Sequence, residues 1–203
     1  MKQRIYIDTS VVGGYFDEEF KNDTIPLFER LEKGEIIFVV SDLLDLELIN
    51  APQKVRDLLH NFSTDKFNRI ELTEEAIKLA DTYIAEKVVG KTSLEDCRHI
   101  AMATIDKVDV LASWNFKHIV NLDKIKGYNS VNLKLGYQMI EIRSPKDLII
   151  METSKKEKTF DAVKMMRDIR DKISSETQNM TFAELKNYMQ VKMKESKLKP
   201  IGQ

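Results

Sequence analysis

The sequence predicts an α/β protein, an α/β/α sandwich with a central parallel sheet and a helical C-terminal tail. Apolar, strand-like runs at residues 4–8, 36–40, 110–113 and 138–142 alternate with longer segments of helical periodicity. Alternation of this kind favours parallel strands joined by crossover helices. The second run is apolar throughout, which is typical of a strand that is buried on both faces.

Residues that favour helix ends separate the predicted helices. Ser41, Thr73 and Ser93 stand where N-caps are expected, and Gly34 and Gly136 stand where helices should end. In chain order we predict a short helical or loop segment to about Phe20, a helix beginning near Asp23 or Thr24 with Pro26 in its first turn, and helices at about 42–50, 53–62, 73–89 (closed by Gly90), 93–107 and 122–135.

The composition limits the kind of protein this can be. A chain of 203 residues can form one domain with an appendage or two small domains, and its charged fraction of 32% requires a strongly polar part. The single cysteine, Cys97, excludes an intrachain disulfide and favours a reducing compartment. No secretory signal opens the sequence, and no run approaches the roughly 20 apolar residues of a membrane span. We therefore expect a cytoplasmic protein without a membrane partner.

The two ends of the chain differ in charge. Residues 151–203 hold 12 basic and 8 acidic residues, a net charge of +4, whereas residues 1–150 have a net charge of −5. We predict a body at 1–150, a polar linker at 151–158 and a tail at 159–203. A basic tail on an acidic body suggests that the tail contacts either the body or an external anion.

The tail should contain two amphipathic helices. The second begins at a capping box formed by Thr181 and Glu184. Two such helices are too small to fold alone, so their apolar faces need a surface on the body or on another chain. The apolar stripe of the first helix comprises Phe160, Val163, Met166, Ile169 and Ile173.

Asp8 is the first candidate for a functional residue. It follows the first apolar run and precedes Thr9 and Ser10. Open parallel sheets bind ligands beyond the carboxyl ends of their strands, so a carboxylate at this position suggests a site. The alternative is that Asp8 only caps the following helix, as aspartate often does.

Glu47 and Asp96 are two further acidic candidates. Glu47 shares a helical face with leucines, where an ionised carboxylate is costly unless it is paired, and the alternative is an escape to solvent at the rim. Asp96 lies on the face of Ile100 and Ala103. Its alternative is a capping box with Ser93, which would explain the acid by local hydrogen bonding.

Ser113 and Asn115 follow the third strand and would reach the same sheet edge, although asparagine is also common in turns. Oxygen ligands such as Asp8, Glu47 and Asp96 suit Mg²⁺ or Mn²⁺. One cysteine and three scattered histidines give no zinc spacing, and we interpret His99 as a surface or packing residue. The sequence has no phosphate-binding glycine loop of the common kinds and no Gly-x-Ser-x-Gly motif.

These motifs, in this order, resemble the PIN-domain family, in particular toxins of the VapC type. The resemblance covers about residues 3–148, with matching stretches at 5–10, 41–48, 94–101, 111–118 and 136–145. It implies a metal-dependent ribonuclease with an acidic site on a parallel sheet, in which Asp8, Glu47 and Asp96 hold Mg²⁺ or Mn²⁺. Many members carry an aspartate after the fourth strand, where this chain has Asn115, which cannot supply charge.

The tail is similar to the small helical antitoxins that accompany PIN toxins. The resemblance implies a toxin fused to an inhibitory segment, acting in cis or on a neighbouring chain, in a homodimer or higher oligomer. We expect Asn115 to assist catalysis, Ser10 and Ser113 to contact the RNA, and Arg167 and Arg170 to block the acidic site. The alternative for Arg167 is an ion pair with Asp171, four residues later on a solvated helical face. The alternatives are a non-catalytic PIN-like binding module with a dimerising tail, and a metal-dependent phosphatase.

Overall fold

The computed structural model describes residues 2–153 and 162–195. These residues fall into two compact units that divide in the gap between the two ranges. Most of the predicted linker and the first tail residues, including Phe160, lie outside the described residues. The domain boundaries of the sequence prediction therefore stay a prediction, although residues 151–153 are helical and continuous with the first unit.

The described part of the first unit contains one five-stranded parallel sheet. Its strands are β1 (Gln3–Ile7), β2 (Ile36–Ser41), β3 (Phe67–Ile70), β4 (Val110–Ala112) and β5 (Ile142–Arg143), in the spatial order β3-β2-β1-β4-β5. The chain builds outward from β1 on one side and then crosses to build β4 and β5 on the other. The carboxyl ends of β1 and β4 are therefore a topological switch point, where open α/β sheets form their binding crevices.

Helices cover both faces of the sheet, as predicted. They are α1 (Thr9–Gly14), α2 (Lys21–Glu32), α3 (Asp42–Leu48), α4 (Gln53–Arg56), α5 (Glu74–Ala85), α6 (Leu94–Ile105), α7 (Leu122–Lys134) and α8 (Pro145–Thr153). Side chains of a strand alternate between faces, so Ile5 and Ile7 join one buried core while Tyr6 joins the other, which includes residues of α5, α6 and α7. The predicted α/β/α sandwich is confirmed.

Several element boundaries differ from the prediction. β3 was not predicted, because its sequence Phe-Asn-Arg-Ile has no continuous apolar run and forms a half-buried edge strand. The predicted helix at 53–62 is α4 followed by a 3-10 turn at Leu58–Asn61. The predicted strand at 138–142 shrinks to β5, which begins only at its last residue. Met139 is 65% exposed and lies outside the sheet.

The predicted caps are partly confirmed. Ser41 and Thr73 accept hydrogen bonds from backbone amides of α3 and α5. Asp23 and Thr24 lie inside α2, which begins at Lys21, so they are not its N-caps. α5 ends at Ala85 rather than at Gly90, and the left-handed residue Lys87 (φ 60°) follows it.

The second unit contains α9 (Ala162–Thr177) and α10 (Phe182–Glu195). The predicted capping box is present, because Glu184 accepts from the backbone amide of Thr181 (2.7 Å) and Thr181 Oγ1 accepts from the amide of Glu184 (3.4 Å). The described residues of the apolar stripe, Met166, Ile169 and Ile173, are between 44% and 49% exposed. Among the helices of the described residues, none combines the length and apolarity needed to cross a bilayer.

Candidate active site

The candidate site lies at the switch point of the sheet. Asp8 is the first residue after β1, Ser113 the first after β4, and Ser41 the last of β2. Because these strands are parallel neighbours, their carboxyl ends bring residues more than 100 positions apart in the chain into contact. The described structure thus joins the first turn of α1, which directly follows β1, to the loop after β4.

Asp8 is buried, with 4% of its surface exposed, and both carboxylate oxygens are hydrogen-bonded. Ser10 Oγ (2.5 Å) and the amide of Val11 (3.2 Å) donate to Oδ1, and Ser113 Oγ (2.6 Å) donates to Oδ2. Asp8 therefore caps α1 and also faces the sheet edge, so the two interpretations of this residue are compatible. Burial raises the pKa of Asp8, and the hydrogen bonds from Ser10 and Ser113 oppose this effect.

The loop after β4 connects Asp8 to Asp96. The amide of Trp114 donates to Ser10 Oγ (2.8 Å), and the amide of Asn115 donates to Ser113 Oγ (2.9 Å). Asn115 Nδ2 in turn donates to Asp96 Oδ1 (3.0 Å). We call Asp8, Ser10, Asp96, Ser113 and Asn115 the switch-point cluster.

Asp96 is explained by this cluster and not by a helix cap. Ser93 precedes α6 but makes no side-chain capping bond, so the alternative of a local capping box is wrong. Burial raises the pKa of Asp96, and the nearby charge of Asp8 adds to this effect, whereas the hydrogen bond from Asn115 opposes it. The cluster thus holds two carboxylates whose charged forms the fold disfavours.

Glu47 belongs to the same edge but has different partners. Its Oε2 accepts from Thr9 Oγ1 (2.7 Å) and lies 3.2 Å from His99 Nε2. Burial alone would raise the pKa of Glu47, but the hydrogen bonds that the carboxylate accepts from His99 and Thr9 oppose this effect, and the pKa is lowered. The alternative that the Glu47 side chain extends into solvent is wrong, since its carboxylate is half-buried and paired with His99.

The packing interpretation of His99 is confirmed and the surface interpretation is wrong, and its contact with Glu47 was not predicted. It is 3% exposed and contacts Glu47 on one side and Tyr6 on the other. The signal that could have identified it is its spacing, because His99 lies three residues after Asp96 and therefore on the same side of α6. The contact of Thr9 with Glu47 was also not predicted.

The donor chemistry fits a hard divalent cation. Mg²⁺ commonly takes one or two carboxylates and completes its octahedron with waters, and Asp8 and Asp96 provide such an oxygen-only pair. Within residues 2–153 and 162–195, no three His, Cys, Asp or Glu side chains are already arranged around one point as a metal site. That Asp8, Glu47 and Asp96 share one ion therefore stays a prediction.

A buried tryptophan holds the loop of the cluster in place. Trp114 stacks on Phe20 with ring centroids 4.5 Å apart, and its Nε1 donates to Thr24 Oγ1 (2.9 Å). Gly14 packs directly against it: a Cβ at this position would lie 2.7 Å from Trp114 Nε1. The Trp114 ring cannot move away without a loss of stability, because Phe20 and Thr24 hold it on two sides.

We predict that Gly14→Ala lowers the free energy of unfolding by about 1–3 kcal/mol, the usual cost of overpacking a core. It should also slow any reaction at the site, because Ser113 and Asn115 flank the displaced ring. Gly13→Ala is a matched control in the same helix, since its Cβ would meet nothing within 4 Å. It should be neutral or stabilising by at most about 1 kcal/mol. Denaturant titration of both variants measures the difference, and equal midpoints would contradict the packing argument.

Comparison with known proteins gives similarities in structure only. No protein-family model matches the chain. No curated protein matches it either. A toxin–antitoxin complex from Klebsiella pneumoniae is 16% identical over 56% of this chain and 88% of its own, with a TM-score of 0.42. The Mycobacterium tuberculosis toxin VapC20, described as cleaving the sarcin–ricin loop, is 13% identical over 56% of this chain and 91% of its own, with a TM-score of 0.44.

A DNA-bound VapBC complex from Salmonella typhimurium is 14% identical over 71% of this chain and 99% of its own, with a TM-score of 0.46. At these low scores the similarities assign no residue a role. The fold of this chain is established by its own sheet order and its two helical layers.

Proposed function

We propose that the chain is a Mg²⁺- or Mn²⁺-dependent endoribonuclease of the PIN type, belonging to a toxin–antitoxin system. The observation that carries the proposal is the switch-point cluster. It places two buried or half-buried carboxylates, Asp8 and Asp96, in one hydrogen-bonded unit at the sheet edge where α/β folds bind ligands. The order of sequence motifs that resembles PIN domains supports the same function.

In this proposal Asp8, Asp96 and Glu47 hold the cation. A bound Mg²⁺ or Mn²⁺ would supply Lewis acidity toward the phosphodiester and lower the pKa of a water. Asn115 orients Asp96 through its amide group, and its own Oδ1 is engaged by the amide of His118 (3.1 Å). Asn115 therefore assists as a hydrogen-bond donor rather than as a ligand.

Ser10 and Ser113 are the proposed phosphate-contacting residues. Both hydroxyls donate to Asp8, so each must give up that bond before it can donate to a phosphate oxygen. In their present orientation they fix the rotation of the Asp8 carboxylate. RNA binding at this edge would thus be coupled to the position of Asp8.

The proposal includes the tail as an inhibitor. Arg167 and Arg170 lie exposed on α9, and guanidinium groups form bidentate bonds with carboxylates such as those of Asp8 and Asp96. The tail would act on its own body or on that of a neighbouring copy, in a cytoplasmic homodimer or higher oligomer.

A non-catalytic PIN-like module is the second candidate function. One observation favours it: the cluster contains the uncharged Asn115, which cannot supply charge to a metal. Such a module would bind RNA or protein with a tail that serves dimerisation. It predicts RNA binding without cleavage in any divalent metal.

The decisive experiment compares metal-dependent cleavage of RNA and of a simple phosphate ester. We expect a single-stranded RNA to be cut with Mn²⁺ or Mg²⁺ by a chain ending at Thr153, which keeps α8 complete. Cleavage should stop with chelator, and p-nitrophenyl phosphate should stay intact. Mn²⁺ at 100 times its dissociation constant should also stabilise the fold by about 2.7 kcal/mol, seen as a higher melting temperature. RNA that stays uncut while Mn²⁺ binds would favour the second candidate.

A further inference from the structure

A buried chain of hydrogen bonds runs from β2 through the sheet to Glu47. Tyr6 Oη lies 2.9 Å from Ser41 Oγ and 2.7 Å from His99 Nδ1, and His99 Nε2 lies 3.2 Å from Glu47 Oε2. Ser41, Tyr6 and His99 are all buried. Buried polar groups need partners, so these three side chains depend on one another.

The direction of the donors follows from the chemistry of each group. Ser41 Oγ accepts from the amide of Leu44 (3.1 Å), which leaves its own hydrogen free for Tyr6. Tyr6 Oη can therefore accept from Ser41 and donate its own hydrogen to His99 Nδ1, its nearest polar partner. His99 then carries its hydrogen on Nε2, where it faces the Glu47 carboxylate. The opposite neutral tautomer would set a nitrogen lone pair against a carboxylate oxygen.

The bond from His99 acts on one oxygen of Glu47. Oε2 accepts from both Thr9 and His99, whereas no described residue donates to Oε1. Thr9 directly follows Asp8, so these bonds also fix Glu47 relative to the switch-point cluster. Carboxylates that bind metals are commonly oriented in this way by partners that do not themselves touch the metal.

We propose that Tyr6 and His99 are positioning residues for Glu47: with Ser41 they fix the Nε2–H tautomer of His99, which orients the Glu47 carboxylate and leaves Oε1 free for a ligand. The inference rests on the proposed function only for the identity of that ligand, which would be a divalent cation. The tautomer itself needs no metal and is tested separately.

The first measurement is the ¹⁵N spectrum of the histidine rings in the full, metal-free chain near neutral pH, with His99 assigned by comparison with His99→Gln. We expect hydrogen on Nε2 and none on Nδ1. Tyr6→Phe removes the donor to Nδ1 and should shift His99 toward a mixture of tautomers. A ring with hydrogen on Nδ1, or on both nitrogens, would overturn the proposal.

The second measurement is Mn²⁺ affinity by calorimetry. His99→Ala should weaken binding about 10- to 100-fold, the usual effect of losing a partner that orients a ligand. His99→Gln should recover most of this loss, because its amide can donate from a position close to Nε2. His60→Ala is the control at an exposed histidine and should bind as the unmodified chain does.

Equal affinities for His99→Ala and His99→Gln would overturn the positioning role. If neither the full chain nor the chain ending at Thr153 bound Mn²⁺, the proposed function would fail, whereas the ¹⁵N spectrum would still decide the tautomer.

Discussion

Replacing Asp8 with Asn is expected to reduce RNA cleavage by about a hundredfold or more. A metal ligand contributes several kcal/mol to stabilising the transition state, and each 1.4 kcal/mol is about a factor of ten in rate. The amide keeps the size of the side chain but removes its charge and one acceptor. Initial rates with saturating Mn²⁺, measured on the chain ending at Thr153, give the loss directly. Asp81→Asn makes the same chemical change at an exposed position of α5 and should cut normally.

The same substitution should stabilise the metal-free protein at neutral pH. The pKa of Asp8 is raised in the folded state by burial, so its favourable contribution is complete below its ordinary value of 3.8 and is lost as the pH rises through the folded value. Each unit of raised pKa costs about 1.4 kcal/mol once the group is ionised. Denaturant midpoints of Asp8→Asn and the unmodified chain should therefore differ most near pH 7 and converge below about pH 4.

If the Asp8→Asn variant cut RNA at the normal rate, Asp8 would have no role in catalysis. A variant that lost activity and was also less stable at pH 7 would indicate that the bonds from Ser10 and Ser113 outweigh the cost of the buried charge. The two readouts separate a functional carboxylate from a structural one, which a rate alone cannot do.

The layered fold could be predicted because its signals are local. Alternating strands and helices specify a parallel sheet, and the caps at Ser41 and Thr73 depend on neighbouring residues only. β3 could not be predicted, because a half-buried edge strand does not need a continuous apolar run. Asn68 and Arg69 interrupt the apolar residues of this strand. Its position is set by pairing with β2, which is a long-range contact.

Asp8, Ser113 and Asn115 could be placed at one sheet edge from the sequence, but the side-chain partners within the site could not be predicted. Glu47 and His99 are 52 residues apart, and only the assembled sheet and α6 bring them together. The sequence therefore left Glu47 with no partner and His99 with no function. Asn115 shows the same limit: its side chain can face either a metal or a carboxylate, and the choice depends on Asp96 and His118.

The effect of the tail on cleavage would depend on how much of the time it occupies the site. Its stripe of Met166, Ile169 and Ile173 is exposed, and its two arginines project from the same helix. A segment joined through a short linker is held at an effective concentration on the order of millimolar. A contact with a dissociation constant of about 10 µM would then occupy the site about 99% of the time. Even a weak contact would therefore suppress cleavage.

We accordingly expect the chain ending at Thr153 to cut RNA about ten- to a hundredfold faster than the full chain with Mn²⁺ present. Replacing Arg167 and Arg170 by Ala in the full chain should recover much of this gain if guanidinium groups occupy the acidic site. Replacing Lys186 and Lys194 by Ala removes the same charge from exposed positions of α10 and should change the rate less than about twofold.

Dilution of the full chain separates the two modes of inhibition, because an intramolecular block does not depend on concentration, whereas a block by a neighbouring copy is released. A rate gain on truncation without any gain in the arginine variant would assign the inhibition to the apolar stripe. If truncation leaves the rate unchanged, the tail is not an inhibitor, and its exposed apolar residues are better explained by dimerisation or by a role in stability.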